Sequence, residues 1–137
     1  MFRLENVRYR DILDIERLDI PSEKITCIVG ESGSGKTTLL RLLNNMISCD
    51  RGNIFYRGQS IYTINPIELR RKVIMLAQNP VVFLGTIKDN LLIGLKFSEK
   101  PLVSDEKLKE VLEKVYLEKA IEDGSENLSG GEKQRLA

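Results

Sequence analysis

Hydrophobic and polar residues alternate along the first 20 positions, and this pattern predicts β-strands. Apolar side chains occupy alternate positions at the start of the run 2–9 and at the end of the run 12–20. A Pro-Ser-Glu-Lys turn follows at 21–24. Two such consecutive runs predict an antiparallel pair at the edge of a sheet.

Three further runs have strand character. Residues 25–29, Ile-Thr-Cys-Ile-Val, are rich in β-branched residues and predict a buried strand. Residues 53–57 resume strand character after a turn cluster at 48–52, and the apolar run 73–77 predicts another strand. The turn Arg-Gly-Gln follows at 57–59.

Helical periodicity begins after residue 35 and ends before residue 48. Apolar side chains recur there at the spacing i, i+3, i+4 and i+7, at Leu39, Leu42, Leu43 and Met46.

Three later helices carry recognisable N-terminal caps. Asn65 before a proline predicts one or two turns as far as residue 70, Thr86 caps a helix over 87–92, and Ser104 opens a longer amphipathic helix. The apolar loop 81–84 before the second of these is either folded under or a docking surface, and we favour docking.

The amino-acid composition limits the classes of protein to which the chain can belong. A chain of 137 residues with 42% hydrophobic and 30% charged residues suits one globular domain. A net charge of +1 gives no electrostatic case for binding nucleic acid. No apolar run approaches roughly 18 residues, and the N-terminal residues do not resemble a signal peptide, so a cytosolic location is expected. Cys27 and Cys49 lack metal or redox spacing and are expected to be reduced.

The chemistry centres on the segment Gly-Glu-Ser-Gly-Ser-Gly-Lys-Thr at 30–37, which fits G-x-x-x-x-G-K-S/T. It follows a predicted strand and opens a predicted helix, which is the context that a phosphate-binding loop needs. Its glycines let successive backbone N–H groups face an anion, and the helix adds its positive end. Lys36 can reach the β- and γ-phosphates, and the Thr37 hydroxyl can ligate Mg²⁺. The residues predicted to bind a nucleoside triphosphate are Gly30, Ser32, Gly33, Ser34, Gly35, Lys36, Thr37 and Thr38.

Two polar positions elsewhere suit the same ligand. Tyr9, near the end of a predicted strand, is either an adenine platform or an ordinary strand aromatic. Gln78 follows a predicted strand, where ligands collect in parallel α/β sheets, and could reach a metal or an attacking water. The alternative for Gln78 is a turn residue that faces solvent.

A second glycine cluster, Leu-Ser-Gly-Gly-Glu at 128–132, precedes a helix-forming run. Ser129 and Glu132 fit a capping box, which is one complete explanation. Gly130 and Gly131 each weaken a helix by about 1 kcal/mol, and they leave its first turn bare of side chains. The second interpretation is therefore a surface that receives a phosphate from another molecule.

These motifs together resemble the ATP-binding cassette (ABC) family. The match consists of a Walker A motif at 30–37, a Q-loop at Gln78 and a signature LSGGEKQR at 128–135, in the family's order and across nearly the whole chain. The resemblance implies an α/β P-loop NTPase core with an N-terminal antiparallel β edge and a small helical insertion, C-terminally incomplete. It divides the chain into a nucleotide-binding core at 1–85, a helical insertion at 86–129 and the start of the signature helix at 130–137.

The resemblance also implies cofactors and partners. The cofactors are ATP and Mg²⁺, with Lys36 and Gln78 in catalytic roles and Thr37 and Gln78 at the metal. Two cassettes would pair head to tail, so that Ser129, Gly130 and Gly131 of one contact the nucleotide of the other. Residues 78–86 would contact a transmembrane permease subunit, which would hold the chain at the inner face of the cell membrane.

Several family features do not occur in this sequence. After residue 137 the family places an apolar strand ending in Asp-Glu, a D-loop and a switch histidine, and this chain contains no histidine. We therefore expect ATP binding without appreciable turnover, and unpaired apolar sheet edges beside residues 25–29. The favoured function is the N-terminal portion of a transporter ATPase. The alternatives are a cassette ATPase that works without a membrane partner and a non-catalytic nucleotide-binding or dimerising module.

Overall fold

A computed structural model describes residues 1–137, which form two compact units, 1–75 and 76–137. The elements of the first unit are β1 (Phe2–Tyr9), β2 (Leu13–Ile20), α1 (Lys36–Leu43), β3 (Arg51–Tyr56), β4 (Gln59–Ser60), a 3₁₀ turn (Ile61–Thr63) and α2 (Pro66–Lys72). Those of the second are α3 (Ile87–Phe97), α4 (Asp105–Lys114), a 3₁₀ turn (Ser125–Asn127) and α5 (Gly130–Leu136). The protein is thus a mixed α/β fold, as the sequence predicted.

The first unit is built on a four-stranded antiparallel sheet in the order β2-β1-β3-β4. The β1–β2 pairing runs from Phe2 opposite Ile20 to Tyr9 opposite Leu13, which confirms the predicted antiparallel pair. The short strand β4 was not predicted. It forms because Arg57 and Gly58 both adopt positive φ, a conformation that turns β3 back on itself in a tight hairpin.

The core of the first unit lies between this sheet and helix α1. The inward side chains of β1 and β3 are fully buried at Leu4, Val7 and Ile54, and they belong to the same cluster as Leu39 and Leu42 of α1. Helix α1 therefore uses the predicted apolar face, except that it ends at Leu43 and leaves Met46 exposed. This packing fixes the start of α1 relative to the sheet.

The second unit is a small helical cluster. Its buried residues come from α3, α4, α5 and the segment between α4 and α5, and they are Ile87, Leu92, Leu108, Leu112, Leu117, Ile121, Leu128 and Leu136. All three helices begin at the predicted caps: Thr86, Ser104 and Ser129 each accept a hydrogen bond from a backbone N–H group of the first turn. Helix α3 extends to Phe97, five residues beyond the prediction.

Two predicted strands are wrong. Residues 25–29 and 73–77 form no β-ladder. Most of their apolar side chains face solvent: Ile25 is 96%, Val29 89% and Ile74 86% exposed, whereas Val73 packs against the core of the first unit. A strand is stable only when a neighbour accepts and donates its backbone hydrogen bonds, and the chain supplies no neighbour for either run. The unpaired sheet edges expected beside residues 25–29 presuppose a strand there, which the structure does not form.

The two units meet in sequence at residues 75 and 76. The predicted boundaries at 85/86 and 129/130 separate parts with different expected functions, and that division stays a prediction. None of the helices has the length and apolarity that a membrane span requires.

Candidate functional site

The start of α1 differs from the starts of the other four α-helices. Side chains cap those helices, at Asn65, Thr86, Ser104 and Ser129, whereas α1 begins at Gly35 with no side-chain cap. The first backbone N–H group of α1 with an acceptor is that of Leu39, which donates to Gly35. The N–H groups of Lys36, Thr37 and Thr38 therefore point away from the helix without a partner in it. They form a concentrated group of donors at the positive end of a helix.

Gly35 is required at this position for two reasons. Its φ of +87° lies in the left-handed region. A Cβ atom there would lie 2.8 Å from Leu13 Cδ2 and 3.0 Å from Ile12 Cγ2, distances too short for carbon atoms. The end of the β1–β2 hairpin thus rests directly against the loop. Because this close approach is possible only without a side chain, Gly35 lets the loop and the hairpin define one surface.

The side chain of Lys36 folds back over the loop. Its Nζ donates to the backbone carbonyls of Gly30 at 2.9 Å and Glu31 at 2.6 Å, and it lies 3.4 Å from the Ser34 hydroxyl. A turn from Glu31 to Ser34 closes the loop, with the Ser34 N–H donating to the Glu31 carbonyl at 3.2 Å. The ammonium group therefore ties the first turn of α1 to the start of the loop and brings a full positive charge to the loop.

The remaining residues of the predicted loop are exposed or half-buried. Ser32, Gly33 and Thr37 are exposed, and Thr38 is half-buried. Nowhere does the chain bring together three His, Cys, Asp or Glu side chains that could hold a metal ion. The donor set at Thr37 is thus a single hydroxyl, which suits a metal that obtains its other ligands from phosphate oxygens.

Tyr9 ends β1 opposite Leu13, and its ring packs against the core of the first unit. The Arg10 guanidinium lies 5.2 Å from the centre of that ring. Tyr9 is therefore partly covered by its own chain, which favours an ordinary strand aromatic over a free stacking platform.

Gln78 is exposed in an irregular segment of the second unit, not at the end of a strand. The loop that follows it is held rigidly. Asn90, on α3, accepts from the Phe83 N–H at 2.7 Å and donates to the carbonyls of Phe83 and Thr86 at 2.9 Å each. The Ser125 hydroxyl donates to the same Phe83 carbonyl at 2.7 Å.

Val81, Phe83 and Leu84 of this loop are exposed, whereas Val82 packs against the core of the second unit. The loop is thus an apolar surface on a fixed backbone, not a flexible connection. No motif in the sequence identified Asn90 or Ser125 as its supports.

The second glycine cluster begins helix α5. Ser129 and Glu132 form the predicted capping box: the Glu132 N–H donates to the Ser129 hydroxyl at 3.3 Å, and the Ser129 N–H donates to the Glu132 carboxylate at 2.8 Å. These hydrogen bonds hold the pKa of Glu132 well below its usual value, at about 2. Lys119 lies 3.4 Å from the same carboxylate.

Gly130 and Gly131 are exposed, and no atom of the chain outside their own helix turn crowds them. A Cβ at Gly130 would meet nothing within 4 Å, and at Gly131 only the Arg135 side chain at 3.8 Å. The fold itself thus gives no reason for two glycines here.

Comparison with known proteins agrees with the motifs. Residues 13–137 match the sequence profile described as ABC transporter. The chain belongs to the ABC transporter family. It is similar to the phosphate import ATP-binding protein PstB 3 of Natronomonas pharaonis, at 35% identity over 96% of this chain and 52% of that protein. It is also similar to the mitochondrial iron-sulfur clusters transporter ATM1 of Debaryomyces hansenii, at 35% identity over 98% of this chain and 21% of that protein.

A solved structure of a bacterial Atm1-family ABC exporter with ATP bound superposes on this ABC chain with a TM-score of 0.86. The identity is 27%, over 98% of this chain and 26% of the exporter chain. The fold is therefore that of an ABC ATPase. The chain spans about half the length of the phosphate import protein and smaller shares of the other two.

Proposed function

We propose that this chain is the nucleotide-binding part of an ABC transporter and binds MgATP at residues 30–38. The observation that carries the proposal is the uncapped start of α1, with Lys36 folded across the loop beside it. Three free N–H groups and one ammonium suit a ligand with several negative oxygens in a row. A triphosphate meets that requirement, and domains of this family bind ATP, generally with Mg²⁺.

Each residue of the loop has a proposed role. Gly30, Gly33 and Gly35, all at positive φ, shape the backbone around the phosphates, with Ser32 and Ser34 between them. Lys36 exchanges its carbonyl acceptors for the β- and γ-phosphates, and Thr38 adds a further contact. Thr37 would ligate the metal, which would neutralise phosphate charge. For Gln78, a role at the metal rests on the family resemblance alone. Tyr9 stays a candidate for contact with the base.

We propose further that two cassettes pair head to tail, with Ser129, Gly130 and Gly131 of one closing over the nucleotide of the other. The absence of any internal need for Gly130 and Gly131 supports this, because a cost of about 1 kcal/mol per helical glycine requires some benefit elsewhere. The Ser129 hydroxyl accepts from the Glu132 N–H and donates to the Glu132 carboxylate, so it would exchange the second of these bonds for a bond to a phosphate.

The membrane partner is proposed to dock on residues 78–86. The clamp of Asn90 and Ser125 on Phe83 supports this, because it fixes the backbone while most of the apolar side chains face outward. A partner binds more tightly to such a surface, because binding does not carry the entropic cost of ordering a loop.

For the 137-residue chain itself we propose nucleotide binding without appreciable turnover. The chain has no histidine, and no apolar strand in it ends in paired acidic residues, so it lacks the groups that the family resemblance gives as partners of the attacking water. A non-catalytic nucleotide-binding or dimerising module is the second candidate function, and the same two glycine clusters support it.

The proposal is tested by titrating the chain with MgATP in a calorimeter. We expect saturable binding to the wild type and a loss of at least tenfold in affinity in Lys36→Met, because the charge that faces the phosphates is removed. Lys72→Met is the matched control, since Lys72 is an exposed lysine of α2 in the same unit. Equal affinity in all three proteins would contradict the proposal.

A further inference from the structure

Ser125 is a polar residue that the fold buries almost completely. It is 1% exposed, whereas serine is usually found at the surface of a protein. Its hydroxyl donates to the Phe83 carbonyl at 2.7 Å, and its N–H donates to the Gly85 carbonyl at 2.9 Å. The hydroxyl bond spans 42 residues of sequence. Ser125 therefore ties the apolar loop 81–84 to a distant segment of the same unit.

The segment that ends at Ser125 runs antiparallel to the start of α3. Thr86 and Gly124 form a β-bridge, and the Ile87 N–H donates to the Asp123 carbonyl at 2.9 Å. These contacts involve only the backbone, so they remain when the Ser125 hydroxyl is removed. A substitution of the hydroxyl should therefore leave this part of the chain folded.

The same serine lies close to the start of α5. Ser125 begins the 3₁₀ turn Ser125–Asn127, and its carbonyl accepts from the Leu128 N–H at 3.4 Å. Leu128 is buried in the core of the second unit, and the next residue, Ser129, caps α5. One side-chain hydrogen bond and one short turn thus join the Phe83 carbonyl to the residues proposed to contact the nucleotide of a second chain.

Asn90 is the other support of the loop, and it connects the loop to a different element. Its side chain donates to the same Phe83 carbonyl at 2.9 Å and accepts from the Phe83 N–H at 2.7 Å. Asn90 thus fixes the loop to α3, whereas Ser125 fixes it to the start of α5. Because Asn90 remains in place, Ser125→Ala leaves the Phe83 carbonyl with one donor and creates no unpaired acceptor.

We propose that Ser125 is a positioning residue, and that its hydroxyl transmits a displacement of the loop 81–84 to residues 129–131 at the start of α5. A buried hydrogen bond resists being stretched, because water does not replace the partner that is lost. The loop and residues 129–131 therefore move together when a partner displaces the loop. The inference deepens the proposed function, on which its consequence for assembly rests. The link itself exists in the ligand-free chain.

The experiment is a double-mutant cycle on the ligand-free, ¹⁵N-labelled chain. Asn90→Ala loosens the loop on the side of α3, and the readout is the shift of the Gly130 and Gly131 amide resonances. We expect Asn90→Ala to shift both resonances, and to shift them about a third as much or less when Ser125→Ala is already present. Ser104→Ala is the matched control, since it also removes a hydroxyl hydrogen bond from the second unit, but at the cap of α4. In that background the full effect of Asn90→Ala should persist.

A residue that only stabilises the fold gives a different result. The shifts caused by Asn90→Ala and Ser125→Ala would then add, and additive shifts would overturn the inference. The same conclusion would follow if Asn90→Ala alone left the Gly130 and Gly131 resonances in place. That comparison does not depend on the folding of any Ser125 variant.

A second measurement relates the link to the proposed pairing of two chains. In Ser125→Ala we expect dimerisation in MgATP, measured by analytical ultracentrifugation, to weaken by about fivefold, which is the usual effect of one hydrogen bond. The affinity for MgATP, measured by calorimetry, should stay that of the wild type. An unchanged dimer, or a weaker affinity for MgATP, would contradict the inference. If the wild type binds no MgATP or does not dimerise, the proposed function fails, and the cycle on the ligand-free chain still decides whether Ser125 carries the link.

Discussion

The Nζ atom of Lys36 donates a hydrogen bond of 2.6 Å to the backbone carbonyl of Glu31, so the lysine spans the loop that precedes its own helix. A second bond of 2.9 Å reaches the Gly30 carbonyl. The ammonium thus ties the loop to the start of α1, where the first three N–H groups have no acceptor in the helix. A phosphate that binds there competes with two carbonyl oxygens for the same charge, and a charged oxygen is the stronger acceptor.

This arrangement predicts that Lys36 orders the loop without any ligand. In Lys36→Met the carbonyls of Gly30 and Glu31 lose their donor, and each lost hydrogen bond to a charged group removes about 1.5–3 kcal/mol of local stabilisation. We expect lower ¹⁵N heteronuclear NOE values at Gly33 and Ser34, with the rest of the spectrum unchanged. Lys72→Met should leave these two values as they are. An equally rigid loop in Lys36→Met would show that the turn alone maintains it.

The contact of Gly35 with the β1–β2 hairpin predicts a stability difference between two glycines of the same unit. Gly35 and Gly58 both have φ near +85°, so alanine at either adopts a left-handed conformation that costs about 1–2 kcal/mol. A Cβ at Gly58 meets nothing within 4 Å, whereas at Gly35 it meets Leu13 and Ile12.

We therefore expect the free energy of unfolding, from urea denaturation, to fall further in Gly35→Ala than in Gly58→Ala. The difference should be about 1–3 kcal/mol, the usual cost of overpacking. Equal losses in the two variants would mean that the hairpin moves away from the loop without cost.

The surroundings of Gly130 predict that a substitution there affects dimerisation without lowering the stability of the chain. Alanine at this exposed helical position meets no atom, so Gly130→Ala should leave stability unchanged or raise it by up to about 1 kcal/mol. If a neighbour's phosphate approaches this turn, the added methyl group and any change of backbone should weaken nucleotide-dependent dimerisation, measured by analytical ultracentrifugation.

Gly94→Ala is the control for this change. Gly94 lies inside α3 with nothing within 4 Å of a Cβ, so alanine there should give the same gain in helix stability without any effect on assembly. Loss of dimer in both variants, or in neither, would argue against a role of Gly130 in contact with a second chain.

The hydrogen bonds of Glu132 predict that the stability of the start of α5 depends on pH. Its hydrogen bonds with Ser129 lower the pKa of the folded-state carboxyl to about 2, below its unfolded value. A lowered pKa means that the cap contributes its full stabilisation above the unfolded pKa and loses it as pH falls toward 2. The ¹³C carboxyl resonance of Glu132 should therefore titrate near pH 2. Ser129→Ala keeps the backbone N–H that donates to the carboxylate and removes only the hydroxyl, so it should move the midpoint part of the way toward the ordinary glutamate value. An unchanged midpoint would exclude the Ser129 hydroxyl as a cause.

Local signals in the sequence predicted the helix starts correctly. Asn65, Thr86, Ser104 and Ser129 each cap the helix assigned to them, because a cap depends on residues within one turn of chain. The antiparallel pair β1–β2 was equally predictable from the sequence, since its strands are joined by a short turn. The order of the glycine-rich loop and helix α1 followed from a single motif.

The errors came from interactions between distant residues. The run 25–29 has strand composition, yet composition does not supply the neighbouring strand that the backbone of Ile25 and Val29 would need. The contact of Ile12 with Gly35 and the clamp of Asn90 on Phe83 were missed for the same reason. No motif links the two members of either pair, and only the folded chain brings them together.

The most direct test of the account is the amide spectrum of the ¹⁵N-labelled chain during titration with MgATP. We predict the largest shifts at the N–H groups of Lys36, Thr37 and Thr38, which have no acceptor in the helix, and no such shifts in Lys36→Met at the same nucleotide concentration. MgATP binding that leaves these three amide resonances in place would contradict the claim that the uncapped start of α1 receives the phosphates.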